Sequence, residues 1–172
     1  FSNKTGLPKK FIRKINEGGH TKNLTIDFDQ TTNKAIVNNI KKNSVKEFVT
    51  KPNVHDMLSV FYFLRNNYSL DQIKKSKDLS VDMFFDSENY EFKMKFLGIE
   101  TINTKFGKIK CIKLRPFVQS GRVFKEKESL TLWISADKNK IPIRIKADFV
   151  VGSIRVDLDA FSGLNHPFEI NF

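Results

Sequence analysis

The sequence predicts a mainly β protein: a strongly curved antiparallel sheet, or half-closed β-barrel, of about ten strands packed around one principal helix. Three observations carry this expectation. Residues 132–149 read as a strand, a polar turn and a second strand, with apolar and polar side chains alternating along both. A fainter copy of the same device opens the chain. Superposing Leu7-Pro8 on Ile141-Pro142 brings the turns Asn3-Lys4-Thr5 and Asp137-Lys138-Asn139 into register. Finally, Phe occurs 17 times, scattered among β-branched residues, a composition that favours sheet over helix.

Taken in order, residues 9–17 and 20–29 form two strands joined at Gly18-Gly19, where glycine tolerates the positive φ of a tight hairpin. Leu24, Ile26 and Phe28 share one face of the second. A turn at 30–34 leads to a short strand at 35–37, and a polar stretch to another at 45–49. The pattern changes after Pro52. Val54, Met57, Leu58 and Phe61 have i, i+3, i+4, i+7 spacing, which predicts an amphipathic helix at 54–66 packed on the sheet, with Asn53 as N-cap and Asp56 at its dipole. Ser69 with Gln72 in capping-box position marks a second, shorter helical turn.

From Leu79 the chain meanders: a strand, a turn at 86–89, and a return through Tyr90, Phe92, Met94 and Phe96, with Gly98 as punctuation. In the strand at 108–115, Ile109 and Cys111 share one face while Ile112 and Leu114 share the other, so a bulge or a crossing between sheet regions is expected. The segment 119–128 reads as a charged, exposed loop. Strands at 130–134, 141–150 and 154–158 complete the meander, with Pro142 at a strand start or edge, where a missing N–H is tolerated.

With 172 residues the chain is expected to form one β domain, 1–172, large enough for a substantial core. The net charge of +11 is carried by Lys residues spaced singly along the strands, the mark of a solvated face. Phe92, Met94 and Phe96 take one register and Lys93 and Lys95 the other. That arrangement argues against an aromatic stacking platform, so no specific nucleic acid is expected, and contact with an anionic membrane surface would be peripheral and salt-sensitive. Cys111 has no partner cysteine and reads as a buried structural thiol. His20, His55 and His166 lack ligand spacing, so no metal is expected. No nucleophile elbow, phosphate loop or dinucleotide fingerprint occurs, and Asp27, Asp29, Asp157 and Asp159 stand on outward registers. The chain is therefore read as non-catalytic and cofactor-free. No apolar run approaches the roughly 18 residues of a membrane helix.

The inward registers are bulky and soft. Met57, Phe61, Met83, Phe85, Phe92, Met94 and Phe96 are the candidate lining of an apolar cavity between sheet and helix, a surface that adapts to lipid-like shapes.

Several motifs resemble a known exported family: Asp56-Met-Leu-Ser-Val-Phe-Tyr-Phe-Leu-Arg65, Phe84-Phe85-Asp86, Gly107-x-x-x-Cys111, and Trp133-Ile-Ser-Ala-Asp with Ile141-Pro-Ile-Arg144. The family is domain-of-unknown-function family 3108, from Gram-negative envelopes, and the similarity runs from Ser2 to about Leu158. The turn-Leu-Pro-basic device is also similar to one in the periplasmic lipoprotein-carrier superfamily. The resemblance implies a half-closed barrel with an apolar cavity and a place in the periplasm or at the periplasmic face of the outer membrane. The implied partner is a lipid-like ligand or an outer-membrane protein. An adaptor subunit of an outer-membrane assembly, holding no small ligand, is the alternative. Because family members carry further strands ahead of the segment matching 1–13, the chain is read as lacking its N-terminal strands. The edge beside 9–17 is then expected to be covered by another segment, a partner or a second copy.

Overall fold

The computed structural model describes residues 1–76, 78–117, 130–149 and 151–171; the expected loop at 119–128 lies outside them. In chain order the elements are β1 (Lys10–Glu17), β2 (His20–Asp29), β3 (Lys34–Asn39), β4 (Ser44–Val49), α1 (Ser59–Asn67), α2 (Leu70–Lys75), β5 (Asp78–Phe85), β6 (Glu88–Thr104), β7 (Gly107–Pro116), β8 (Leu130–Ser135), β9 (Pro142–Asp148) and β10 (Ser153–Asp157). The strands form two open sheets rather than one, ordered β1-β2-β3-β4 and β10-β9-β8-β7-β6-β5. Every pairing between consecutive strands whose register is defined is antiparallel. The chain divides into two compact units, Phe1–Asn66 with Val81–Glu91, and Asn67–Ser80 with Phe92–Phe172.

In the first unit, Gly18 and Gly19 turn the β1–β2 hairpin with φ of 51° and 82°, as their pairing in the sequence requires. Cross-strand partners set Phe11, Ile26 and Val37 in one row and Phe28, Ala35 and Phe48 in another. Leu24, Val54 and Phe84 complete this core. The opposite face carries exposed ion pairs such as Lys10–Asp27 and Lys34–Glu47.

The principal helix starts later than its spacing predicts. Val54–Asp56 is held extended, because His55 bridges Met83 in parallel: His55 N donates to the Asp82 carbonyl at 2.9 Å, and Phe84 N to the His55 carbonyl at 2.8 Å. The cap is Asp56, not Asn53. Its Oδ1 accepts from the backbone N–H of Leu58 and Ser59 at 2.8 and 2.7 Å, and Ser59 Oγ accepts from Asp56 N at 3.0 Å. The buried face of α1 is accordingly Ser59, Val60 and Leu64. Met57 and Leu58 precede it and are exposed, Phe61 is half-buried, and only Val54 of the expected face lies in the core. The shorter helix follows its signal: Ser69 and Gln72 form the reciprocal capping box of α2.

In the second unit, two bulges among the described strand pairings break the simple alternation. Leu97 is the extra residue of β6, between Phe96 opposite Leu114 and Gly98 opposite Lys113. Ile143 is the extra residue of β9, between Ile134 opposite Pro142 and Trp133 opposite Arg144. The β9 bulge turns Ile143 into a core with Ile102, Ile109, Cys111, Trp133 and Ile141, whereas unbroken alternation would group it with Ile145. The phase change in β7 has a different cause from a bulge of its own. Its register with β8 runs unbroken from Cys111 to Leu114, and the strand is buried on both faces. The same holds for β8, where Thr131 to Ser135 are all buried.

The core around Cys111 and Trp133 is covered by Leu158, Leu164, Phe168 and Ile170 of the C-terminal segment. Lys108 and Asn171 exchange backbone hydrogen bonds of 2.7 and 2.9 Å. Asn139 Nδ2 donates to the carbonyls of His166 and Pro167, and His166 N donates back to Asn139 Oδ1. The Asp137–Asn139 turn, polar in sequence, is therefore buried at both of those residues.

Candidate functional site

On the other face of the second unit's sheet, strand pairing assembles an apolar surface. Directly opposed residues of antiparallel strands share a face, so the registers set Val156, Ile145, Leu132, Leu114 and Phe96 in one row across β10, β9, β8, β7 and β6. A second row holds Ile154, Ala147 and Leu130, and a third Ile134, Ile112 and Ile99. No ionisable side chain interrupts any of them. Exposure along the first row rises outward, from 3% at Leu114 and 7% at Leu132 to 38% at Ile145 and 58% at Val156. The face is thus closed at its centre and bare at β9 and β10. A run of large apolar side chains continuing from core to solvent marks an interaction surface rather than scattered exposure.

The expected cavity residues divide between the two units. Phe92, Met94 and Phe96 belong to the second, on the same register of β6, with Phe92 and Met94 buried and Phe96 entering the first row. Met57, Phe61, Met83 and Phe85 belong to the first. Met83 is buried, and the Arg13 guanidinium lies 4.8 Å over the ring of half-buried Phe85, which turns that side chain to a structural use. The bare end of the face, Ile145, Ile154 and Val156, is absent from the sequence-based set. Its signal was the alternation at 141–158, but joining Ile145 to Leu114 and Phe96 required the strand pairing.

The motif residues that carry the family resemblance build structure. Trp133 Nε1 donates to Glu100 Oε2 at 3.2 Å, and this bond with the one from Lys113 holds the Glu100 carboxyl below its usual range. Arg144 is paired with Asp157 and donates to the Asn103 carbonyl at 3.2 Å. Asp137 Oδ1 accepts from Ser135 Oγ and from the backbone N–H of Asn139 and Lys140.

The remaining chemistry is sparse. Burial pushes the Cys111 thiol up to about 12, so the thiolate nucleophile is disfavoured. His55 is buried, with Nδ1 3.1 Å from Ser59 Oγ and its ring 4.7 Å from that of Phe63; desolvation holds its pKa down. Among the described residues no group of three or more His, Cys, Asp and Glu side chains gathers as a metal site. No helix among them is long and apolar enough to cross a membrane. Among the described residues, one open groove of about 470 Å³ is lined by Lys14, Lys22 and Lys41 with Ile15 and Ile40, and another of about 400 Å³ mainly by charged and polar side chains of β9, β10 and residues 103–105.

Comparison with known proteins finds no match among curated proteins and none among solved structures. A family model does match, over residues 1–159, and the chain belongs to that family, described as protein of unknown function, DUF3108.

Proposed function

We propose that the chain is a non-catalytic, exported envelope protein that binds an apolar ligand, a lipid or a lipid-modified protein, along the apolar face of β6–β10. The observation that carries this reading is the row from Phe96 to Val156, uninterrupted by charge and increasingly exposed from Leu114 outward to Val156. An acyl chain laid along it would cover Ile145 and Val156 and gain about 25 cal/mol for each Å² of apolar surface removed from water. No directional polar group is needed for such binding, which suits rows that carry none. The half-closed barrel with an apolar cavity, and a place in the periplasm or at the periplasmic face of the outer membrane, belong to the same reading. The location rests on the resemblance of the motifs to an exported envelope family, and the barrel and cavity on reading the turn-Leu-Pro-basic device as one used by lipoprotein carriers.

Native mass spectrometry of the chain extracted gently from envelopes tests it. The expected result is a co-purifying lipid mass that is lost in an Ile145→Asp variant of unchanged thermal midpoint. A chain that carries no lipid but retains a polypeptide other than a second copy of itself would replace this reading with that of an adaptor subunit in an outer-membrane assembly.

A further inference from the structure

The two sheets present four edge strands, and among the described residues three are guarded. Hydrogen bonding of Phe28 N to the Lys9 carbonyl sets the phase of β1, so the backbone groups of Lys10, Ile12, Lys14 and Asn16 face outward. That edge carries Lys10 and Lys14, with Arg13 between them, the charge that discourages strand addition. At β4, the Asn89 side chain donates to the Val49 carbonyl at 3.0 Å and accepts from Lys51 N at 3.2 Å, closing one end. At β5, His55 occupies the outer backbone groups of Asp82 and Phe84.

The fourth edge, β10, has no such device among the described residues. Bonds from Leu158 N to the Ile143 carbonyl and from Phe149 N to the Gly152 carbonyl set its phase. Ile154 and Val156 bond inward to β9, and the N–H and C=O groups of Ser153, Arg155 and Asp157 face outward. All five residues of the strand are exposed. Its ionisable residues, Arg155 and Asp157, cancel in charge and pair with each other at 3.1 Å. Ile154 and Val156, 57% and 58% exposed, stand together on one side.

We propose that two copies of this chain associate through their β10 strands, antiparallel about a two-fold axis at Arg155. This register pairs all five residues: Ser153 with Asp157 of the other copy, Ile154 with Val156, and Arg155 with itself. It is also one in which the outward backbone groups meet as hydrogen-bonded pairs. The apolar side chains of one copy then meet those of the other, while each guanidinium keeps its own Asp157. A self-complementary patch of this kind is what an isologous dimer requires. The β1 edge, with Lys10, Arg13 and Lys14 against Glu17 alone, would bring a net positive charge from each copy together, whereas Arg155 and Asp157 cancel within each β10. The pairing does not depend on what the apolar face binds; it rests on the backbone and side chains of one strand.

Cysteine cross-linking of the full chain tests the register. Across the axis the two Cα atoms of residue 155 would be about 5.5 Å apart, within disulfide reach. Those of residue 153 would be offset along the strand by about 13 Å, outside it. On mild oxidation, R155C is expected to form a covalent dimer and S153C to stay monomeric, with buried Cys111 inert in both. Light scattering of the unmodified chain is expected to reach twice 20.0 kDa with rising concentration. Val156→Lys, at an exposed position, is expected to abolish that rise without changing the fold. Equal cross-linking of both cysteine variants, cross-linking of neither, or a dimer that survives Val156→Lys overturns the proposal, whether or not lipid is bound.

Discussion

Gly6 and Lys140 occupy equivalent places in the two copies of the repeated turn, and both hold left-handed backbone, φ 72° and 47°, one residue before Leu7-Pro8 and Ile141-Pro142. Each turn is closed by a Ser N–H: Ser2 N donates to the Leu7 carbonyl and Ser135 N to the Ile141 carbonyl, both at 2.9 Å. The repeat visible in the sequence is thus a repeat of backbone conformation, one residue longer in the second copy. A side chain added at Gly6 would meet nothing within 4 Å, so only the backbone resists it. Gly6→Ala is expected to destabilise by about 1 kcal/mol in urea denaturation. Lys140→Gly relieves the same strain but loses the 2.8 Å bond from Lys140 Nζ to the Tyr68 carbonyl, and should fall within about 1 kcal/mol of the parent. A Lys140→Gly variant clearly less stable than Gly6→Ala would refute the equivalence.

Asp137 fills the second turn from within. Its Oδ1 accepts three hydrogen bonds while its buried Oδ2 has no partner among the described residues. Asp137→Ala strands those donors and is expected to destabilise by about 2–3 kcal/mol or more. Asp137→Asn keeps an acceptor at Oδ1 and removes the buried charge, so it should be much milder. Denaturant midpoints of the two variants separate the hydrogen-bonding role from the charge.

The late start of α1 gives a third expectation. Asp56→Ala removes the cap and should lower stability by about 1–2 kcal/mol. Leu58→Ala, at an exposed position, should be within about 0.5 kcal/mol of the parent, and Asn53→Ala should leave helix content unchanged. Thermal melts followed by circular dichroism read all three.

Local signals reached most elements because those elements answer to local chemistry. Gly18-Gly19, the Asp86-Ser87 turn with both residues at positive φ, the Ser69 capping box and Pro142 at the first position of β9 each settle their own geometry. What escaped depends on distant partners. Helical spacing could not show that Met83 would hold His55 extended, nor that the C-terminal segment would bury Asn139. The candidate site was legible only in part for the same reason. Met94 and Phe96 announce themselves as bulky inward residues, but Met57 lost its place when the helix began at Ser59. The bulges at Leu97 and Ile143 decide which face their neighbours take; Gly98 and Pro142 beside them mark an irregularity but not which side chain turns.

Buried His55 supplies a pH dependence. Desolvation lowers its folded pKa below the ordinary 6.5, so the folded state resists the proton that the unfolded chain accepts. Stability from this group is present above the unfolded value and lost as pH falls toward the folded one. Denaturant midpoints should therefore drop between about pH 7 and pH 5 more steeply in the parent than in His55→Gln. Parallel slopes would mean that His55 carries none of the acid sensitivity.

The apolar row predicts that stability and binding separate along its length. Leu114 and Leu132 are core residues, and truncating either to Ala should destabilise by about 2–5 kcal/mol through lost burial and the cavity left behind. Val156 and Ile154 are more than half exposed, so the same truncation should change stability by no more than about 0.5 kcal/mol. If the bare end is where an acyl chain lies, Ile154→Asp and Val156→Asp should leave the thermal midpoint in place while weakening capture of a fluorescent fatty-acid probe. A charge forced against the chain would have to be desolvated. Probe binding that ignores both aspartates but follows Leu132→Ala would place the ligand at the closed centre of the face. Binding indifferent to all of them would remove the sheet face from consideration.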